Sequence, residues 1–145
     1  MKFKIKPFSS IFIFSLLSII ISCNKSSEPE IERSGNYEGT INTYHDGVLF
    51  SKNSNGYFTL TPTSTKGEVT ILNNVIITSK ANISGNTLTI PRTVSVSTQT
   101  SSLVEYGSGT FSGNTLTFEF NSEFLEKGTV VMRLKFTGVL KKIGR

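Results

Sequence analysis

The chain is expected to fold as an antiparallel all-β domain, closing into an up-and-down meander barrel of about eight to ten strands. Three observations carry that expectation. From Gly35 onward Thr, Val, Ile and Phe recur without any helical period. Gly, Asn, Ser and Asp interrupt these runs every several residues, as tight turns require. The connections are short throughout, whereas a Greek-key sandwich needs long crossovers. Two stacked sheets are the alternative arrangement.

The strands follow in order. Residues 37–44 form the first, and His45-Asp46-Gly47 turns into 48–52. Asn53-Ser54-Asn55-Gly56 is expected to turn again, into 57–61, where Phe58 and Leu60 share one face. Pro62 ends that run. Residues 68–72 and 75–79 flank Asn73-Asn74, whose tolerance of positive φ suits a tight hairpin. Gly85-Asn86 joins 81–84 to 87–90, Pro91 breaks or bends the ladder, and 94–98 continues it. After a polar loop at 99–102, residues 103–111 contain Gly107 and Gly109, expected to mark a bend or bulge. Gly113-Asn114 turns into 115–121, where Leu116, Phe118 and Phe120 alternate with Thr115, Thr117 and Glu119. Residues 122–128 read as a loop or a single helical turn. A long last strand, 129–140, sets Val130, Met132, Leu134, Phe136 and Gly138 in phase.

One sequence recurs. Ile83-Ser84-Gly85-Asn86-Thr87-Leu88-Thr89-Ile90 returns as Phe111-Ser112-Gly113-Asn114-Thr115-Leu116-Thr117-Phe118. A single echo is not a solenoid, which needs at least about three copies. It reads as one hairpin recipe used twice.

The N-terminus has a different character. Lys2, Lys4 and Lys6 precede an apolar run from Phe8 to Ile21, and small Ser22 stands before Cys23, the only cysteine. This is the layout of a secretory signal peptide. Its apolar run is too short for a membrane-spanning helix of about 20 residues. Ile20-Ile21-Ser22-Cys23 resembles the lipobox of bacterial lipoproteins. That resemblance implies cleavage before Cys23, a diacylglycerol thioether on its sulfur and an acyl chain on its new amine. Two or more chains hold a protein stably on a membrane. Residues 24–34 are polar, contain Pro29 and lack an apolar period, so they read as a tether. Fully extended, such a segment reaches at most about 35–40 Å. The organisation is therefore a signal peptide over 1–22, a lipidated cysteine and linker over 23–34, and one β-domain over 35–145. Asn24 is not the aspartate associated with inner-membrane retention in enteric bacteria, so the outer membrane is favoured; Glu28, Glu30 and Glu32 loosely match a surface-export signal.

The full chain carries a net charge of +5. Loss of Lys2, Lys4 and Lys6 leaves twelve basic residues against ten acidic ones, +2, an ordinary surface. No basic run interleaves with aromatics, which argues against nucleic acid. Once Cys23 is lipidated the remaining chain contains no thiol for a disulfide.

Ser34-Gly35-Asn36-Tyr37-Glu38-Gly39-Thr40 resembles the Gly-x-Trp opening of lipocalins, with Tyr37 at the tryptophan's place. Lys135-Phe136-Thr137-Gly138-Val139-Leu140-Lys141-Lys142 resembles their closing strand, where a basic residue covers that aromatic. The stretch 107–118 is similar to small lipocalin-like lipoproteins of Gram-negative bacteria. The resemblance covers most of 35–142 and implies a calycin-type barrel, binding a small apolar ligand or lipid. Tyr37, Phe58, Leu60, Phe118, Phe120, Leu134 and Phe136 are the candidates for its interior or ligand-facing wall.

Catalytic signals are sparse. His45-Asp46 reads as a pair of turn formers before it reads as a base. No Gly-x-Ser-x-Gly elbow is present. One histidine gives no zinc cluster. Glu119, Glu123 and Glu126 read as solvated carboxylates. No catalytic, metal or cofactor residue is assigned, and the chain is not expected to be an enzyme. Two functions are left: an outer-membrane-anchored barrel holding a small hydrophobic ligand or envelope component, or a surface module binding polysaccharide or protein on a solid β core. A cavity of about 300 Å³ or more, lined by the phenylalanines, favours the first, and a filled interior with an exposed aromatic row favours the second.

Overall fold

The computed structural model describes residues 32–77 and 80–144. Cys23 and most of the tether lie outside the described residues. Eight antiparallel strands follow one another around a closed barrel: β1 (Gly35–His45), β2 (Val48–Pro62), β3 (Glu68–Asn73), β4 (Lys80–Ser84), β5 (Thr87–Ser97), β6 (Ser101–Ser112), β7 (Thr115–Glu126) and β8 (Thr129–Ile143). Each strand pairs with its neighbour in sequence, and β8 closes on β1 with Leu140 opposite Gly39. This is the up-and-down meander that the short connections predict, and the sandwich alternative is set aside.

Antiparallel order assigns the turns to two ends. Residues 63–67, Gly85-Asn86 and Gly113-Asn114 lie at one end, the floor, beside Gly35 and Ile143. Asp46-Gly47, the connection after β3, residues 98–100 and Lys127-Gly128 lie at the other, the rim.

Across β6, β7 and β8 the register stacks five inward rows from floor to rim. They are Phe111–Leu116–Leu140, Gly109–Phe118–Gly138, Gly107–Phe120–Phe136, Glu105–Ser122–Leu134 and Leu103–Phe124–Met132. The glycines make room for rings. A Cβ at Gly107 would sit 2.6 Å from Phe120, and one at Gly138 would sit 2.6 Å from Phe118. Phe58 enters from β2 and stacks on Phe120 at 5.5 Å, with Phe118 4.8 Å away. Leu60, Val69, Ile71, Ala81, Ile83, Leu88 and Ile90 complete the buried core. The lower barrel is filled by its own side chains.

The sequence echo acquires a role at the floor. Its Gly85-Asn86 and Gly113-Asn114 turns stand together, and one side chain bridges them. Arg33 donates to the Gly113 carbonyl at 2.9 Å and to Asn86 Oδ1 at 2.8 Å. Its guanidinium lies 5.5 Å from the Phe111 ring centre. The Tyr37 hydroxyl donates to the Arg33 carbonyl at 2.8 Å, and burial pushes its pKa up. Lys142, the register partner of Tyr37, donates to the Glu32 carbonyl at 3.0 Å. The basic group over an aromatic is thus Arg33 on Phe111, before β1, rather than a residue of the closing strand on Tyr37. Closed wall, floor and core are all built from residues 32–144, so a chain starting at Asn24 carries every contact just described.

Several sequence expectations are corrected. Asn53–Gly56 is no turn, because β2 runs unbroken through it. Its surplus residues are absorbed as two irregularities against β1, with Asn53 at φ 55° and its amide on Asn42 Oδ1. Residues 75–77 are not a strand after an Asn73-Asn74 hairpin. Instead Asn73 Oδ1 accepts from the amides of Val75 and Ile76, both at 2.8 Å, and β4 begins at Lys80. Gly107 and Gly109 lie in an unbroken β6–β7 register. The bulges fall in β5 instead, around Pro91 and before Val96. Residues 122–126 extend β7 rather than looping, because Glu123 finds partners on neighbouring strands. Ser101 and Ser102 likewise belong to β6 rather than to the preceding loop.

Truncating Phe120 to Ala removes the ring on which Phe58 and Phe118 pack. The expected loss is about 3–5 kcal/mol, read as a lower urea midpoint at unchanged slope for the chain from Asn24.

Candidate functional site

The wall is uneven. β3 and β4 have 6 and 5 residues, while β2 and β8 have 15 each. β4 pairs with β5 only through Asn82–Thr89, Ile83–Leu88 and Ser84–Thr87. Towards the rim the two strands part, and a cleft of about 380 Å³ opens between them, bordered by apolar Ile77, Ala81, Pro91 and Val94 and by polar Glu68, Lys80, Asn82, Thr93 and Ser95. The bulges at Pro91 and Val96 turn β5 away from β4.

Chain after β3 covers the gap. Asn74 continues the pairing of β3 by side chain, accepting from the Tyr57 amide at 3.2 Å and donating to the Asn55 carbonyl at 3.0 Å. Ile76 is buried in the core cluster and Val75 packs against it, while Ile77 is exposed.

Beneath this segment stands Glu105, 1% exposed. Its place inside follows from alternation with Gly107, Gly109 and Phe111. Its Oε1 accepts from the Ile77 amide at 2.8 Å and from the Ser122 hydroxyl at 3.3 Å. Its Oε2 accepts from the Ser95 hydroxyl. Burying a carboxylate costs several kcal/mol or more unless hydrogen bonds compensate. Here donors from the covering segment, β5 and β7 converge on it. Level with it is half-buried Leu134, and above it Leu103, Phe124 and Met132, also half-buried, form an apolar collar at the rim.

A second buried carboxylate lies on the outer face. Glu123 Oε2 accepts from Arg92 at 2.7 Å; Oε1 accepts from the Tyr106 hydroxyl at 3.1 Å and lies 3.7 Å from Arg133 Nε. Arg92 also lies 4.9 Å from the Tyr106 ring centre. The Arg92 hydrogen bond holds the Glu123 carboxyl below its usual range, and burial raises the Tyr106 hydroxyl. This latch ties β5 to β6, β7 and β8.

The candidate residues divide cleanly. Tyr37, Phe58, Leu60, Phe118, Phe120 and Phe136 are buried in the core, and Leu134 packs against it. They touch one another, so in the lower barrel they form packing. His45 lies 3.6 Å from Asp46 at the exposed first hairpin, where Asp46 also accepts from the Arg133 amide. Glu119 pairs with Lys135 at 2.8 Å on the outer face, well apart from Glu126 at the β7 end. Among the described residues, no group of three or more His, Cys, Asp or Glu side chains comes together to hold a metal ion. Sequence reasoning missed Glu105. The signal was an acidic residue in phase with Phe111 across two glycines.

Family models, curated proteins and solved structures were each searched with this chain, and none matches it.

For Glu123 the sign is fixed by its lowered pKa. The latch stabilises the fold above the unfolded carboxylate value, about 4.3, and is lost as pH falls through the lower folded value. Arg92 is half exposed and solvent-screened, so Glu123→Gln is expected to cost only about 1–2 kcal/mol at pH 7. Urea midpoints should show that deficit shrinking below about pH 4.

Proposed function

We propose that the protein is a lipid-anchored binding module of the cell envelope, held in the outer membrane through Cys23, whose barrel takes a small hydrophobic ligand or envelope component at its rim. The observation that carries the reading is the division of the barrel. Its lower half is filled by Phe58, Phe118 and Phe120, while the cleft, the half-buried collar and the buried Glu105 gather towards the rim. Arg33 fastens the N-terminal chain to the floor. A tether from Cys23 would therefore lead from the membrane to the floor and leave the rim facing away. Recognition suits a site that sets apolar Ile77, Ala81, Pro91 and Val94 beside polar side chains. The closed eight-strand meander is the architecture that the lipocalin resemblance implies, and shallow uptake at the rim is the form of ligand binding that its filled interior leaves room for.

A second reading, a surface module for polysaccharide or protein, is favoured by the first hairpin. Val48 is 72% and Phe50 79% exposed there, and contiguous exposed apolar surface marks interaction sites.

Two measurements on the full chain in Gram-negative cells test the proposal. Labelled fatty acid should enter the wild-type chain and not Cys23→Ala, which should leave the membrane fraction. Solvent extraction of the purified protein should release one small apolar compound in roughly equimolar amount. An unlabelled chain would overturn the anchor, and an empty extract from freshly isolated protein would favour the surface module.

A further inference from the structure

We infer that the outer wall of the barrel carries a further binding site, a furrow from β6 across β7, β8 and β1 to β2 that seats an extended, neutral, β-linked glycan. It lies apart from the rim, goes beyond the rim reading and does not depend on it.

The furrow follows from the inward glycines. Gly109 and Gly138 flank Phe118 in one inward row, and Gly39 and Gly56 follow Leu140 in the next. A Cβ on Gly56 would sit 2.1 Å from the Ile41 side chain, and one on Gly138 2.6 Å from Phe118. The backbone there stands closer to the core than a side chain would allow, so the outer surface dips. Between the two rows runs one outward row: Thr110, Thr117, Val139, Thr40 and Asn55, each directly opposite the next. Three depressions adjoin along it. One of about 340 Å³ holds Thr110, Thr117 and Thr137; one of about 190 Å³ holds Thr117, Thr137, Val139 and Thr40; one of about 680 Å³ holds Thr40, Asn55 and Tyr57. At about 4.8 Å per strand, the row is about 19 Å long, room for several sugar rings in line.

The lining is polar, balanced in charge and unengaged. Among the described residues, the hydroxyls of Thr40, Thr117, Thr137 and Tyr57 make no hydrogen bond to the protein. Glu38 and Lys141 stand opposite each other across the β1–β8 ladder in the largest depression, and no ion pair joins them. Tyr57, 43% exposed, stands opposite Glu38 on the other side. A pyranose ring has hydroxyls around its edge and polarised C–H groups on its faces. Its face suits the negative π face of Tyr57 and the exposed Val139 and Ile143. Its edge suits hydroxyl, amide and paired charges. Each hydroxyl only exchanges water for sugar, at small net gain, so affinity must build along the chain. A linkage that keeps successive rings in line follows the row; one that coils leaves it. A polyanion would find Lys141 matched by Glu38. A peptide strand would find no free ladder edge, since β7, β8 and β1 are paired on both sides.

The test titrates the chain from Asn24 with cellobiose, cellohexaose and maltohexaose, by calorimetry and by amide NMR shifts. Cellohexaose should bind about tenfold or more tighter than either of the others, with shifts at Thr40, Thr117 and Val139. Tyr57→Ala should weaken it about tenfold, and Tyr57→Phe should retain most of the affinity. Thr117→Arg, which fills the middle of the furrow, should reduce cellohexaose to the cellobiose level. Both side chains are exposed, so neither variant opens the core. No binding, no gain from cellobiose to cellohexaose, or equal binding of maltohexaose overturns the inference. So do shifts centred on Val48–Phe50 at the rim, or an affinity unmoved in either Tyr57→Ala or Thr117→Arg. The solvent extract decides the rim reading separately.

Discussion

The structure depends on an exchange of volume between glycine and phenylalanine on three adjacent strands. Gly107, Gly109 and Gly138 give up their side chains, and Phe118 and Phe120 take the space. Phe58 then completes a three-ring cluster, with Phe118 and Phe120 centred 4.7 Å apart. A barrel filled this way to half its height has its wall packed on its own side chains. It also leaves any guest inside the barrel only the upper half.

From that constraint the rest is arranged by end. At the floor, one arginine spans two turns of the same sequence and fixes the point where the chain arrives from its N-terminus. At the rim, two short strands leave the wall incomplete, and a segment without strand pairing carries an isoleucine into the core. The two buried glutamates sit on opposite faces of the same wall. Glu123 binds strands together from outside through arginines, and Glu105 faces inward and holds the covering segment by its amide. Both are fastenings, one across the outer face of the wall and one between the wall and the segment that follows β3.

Much of this was legible in the sequence. Alternation in 115–120 and from Met132 to Gly138 set the inward residues correctly, whereas a bulge takes Val130 out of that phase, opposite Leu125; both Gly-Asn turns fell where they were expected. Three kinds of element were not. Asn53–Gly56 has turn composition, but a bulge uses the same residues as a turn, and only the register against β1 tells them apart. Val75, Ile76 and Ile77 have strand composition, yet the Asn73 side chain takes their amides and diverts them across the gap. Residues 122–126 look like a polar loop, because the arginine that satisfies Glu123 in β7 lies 31 positions away. Glu105 was hidden for a related reason. Periodicity showed its side of the strand, but the donors that make its burial tolerable come from three other parts of the chain.

The most direct measurement is residue-level hydrogen exchange on the chain from Asn24. A filled lower barrel beside a segment without strand pairing predicts that the strand amides of Phe58, Leu60, Leu116, Phe118 and Phe120 exchange only with global unfolding, while those of Val75, Ile76 and Ile77 exchange by local opening at far lower free energy. Equal protection in the two groups, or early exchange along β6 and β7, would contradict it.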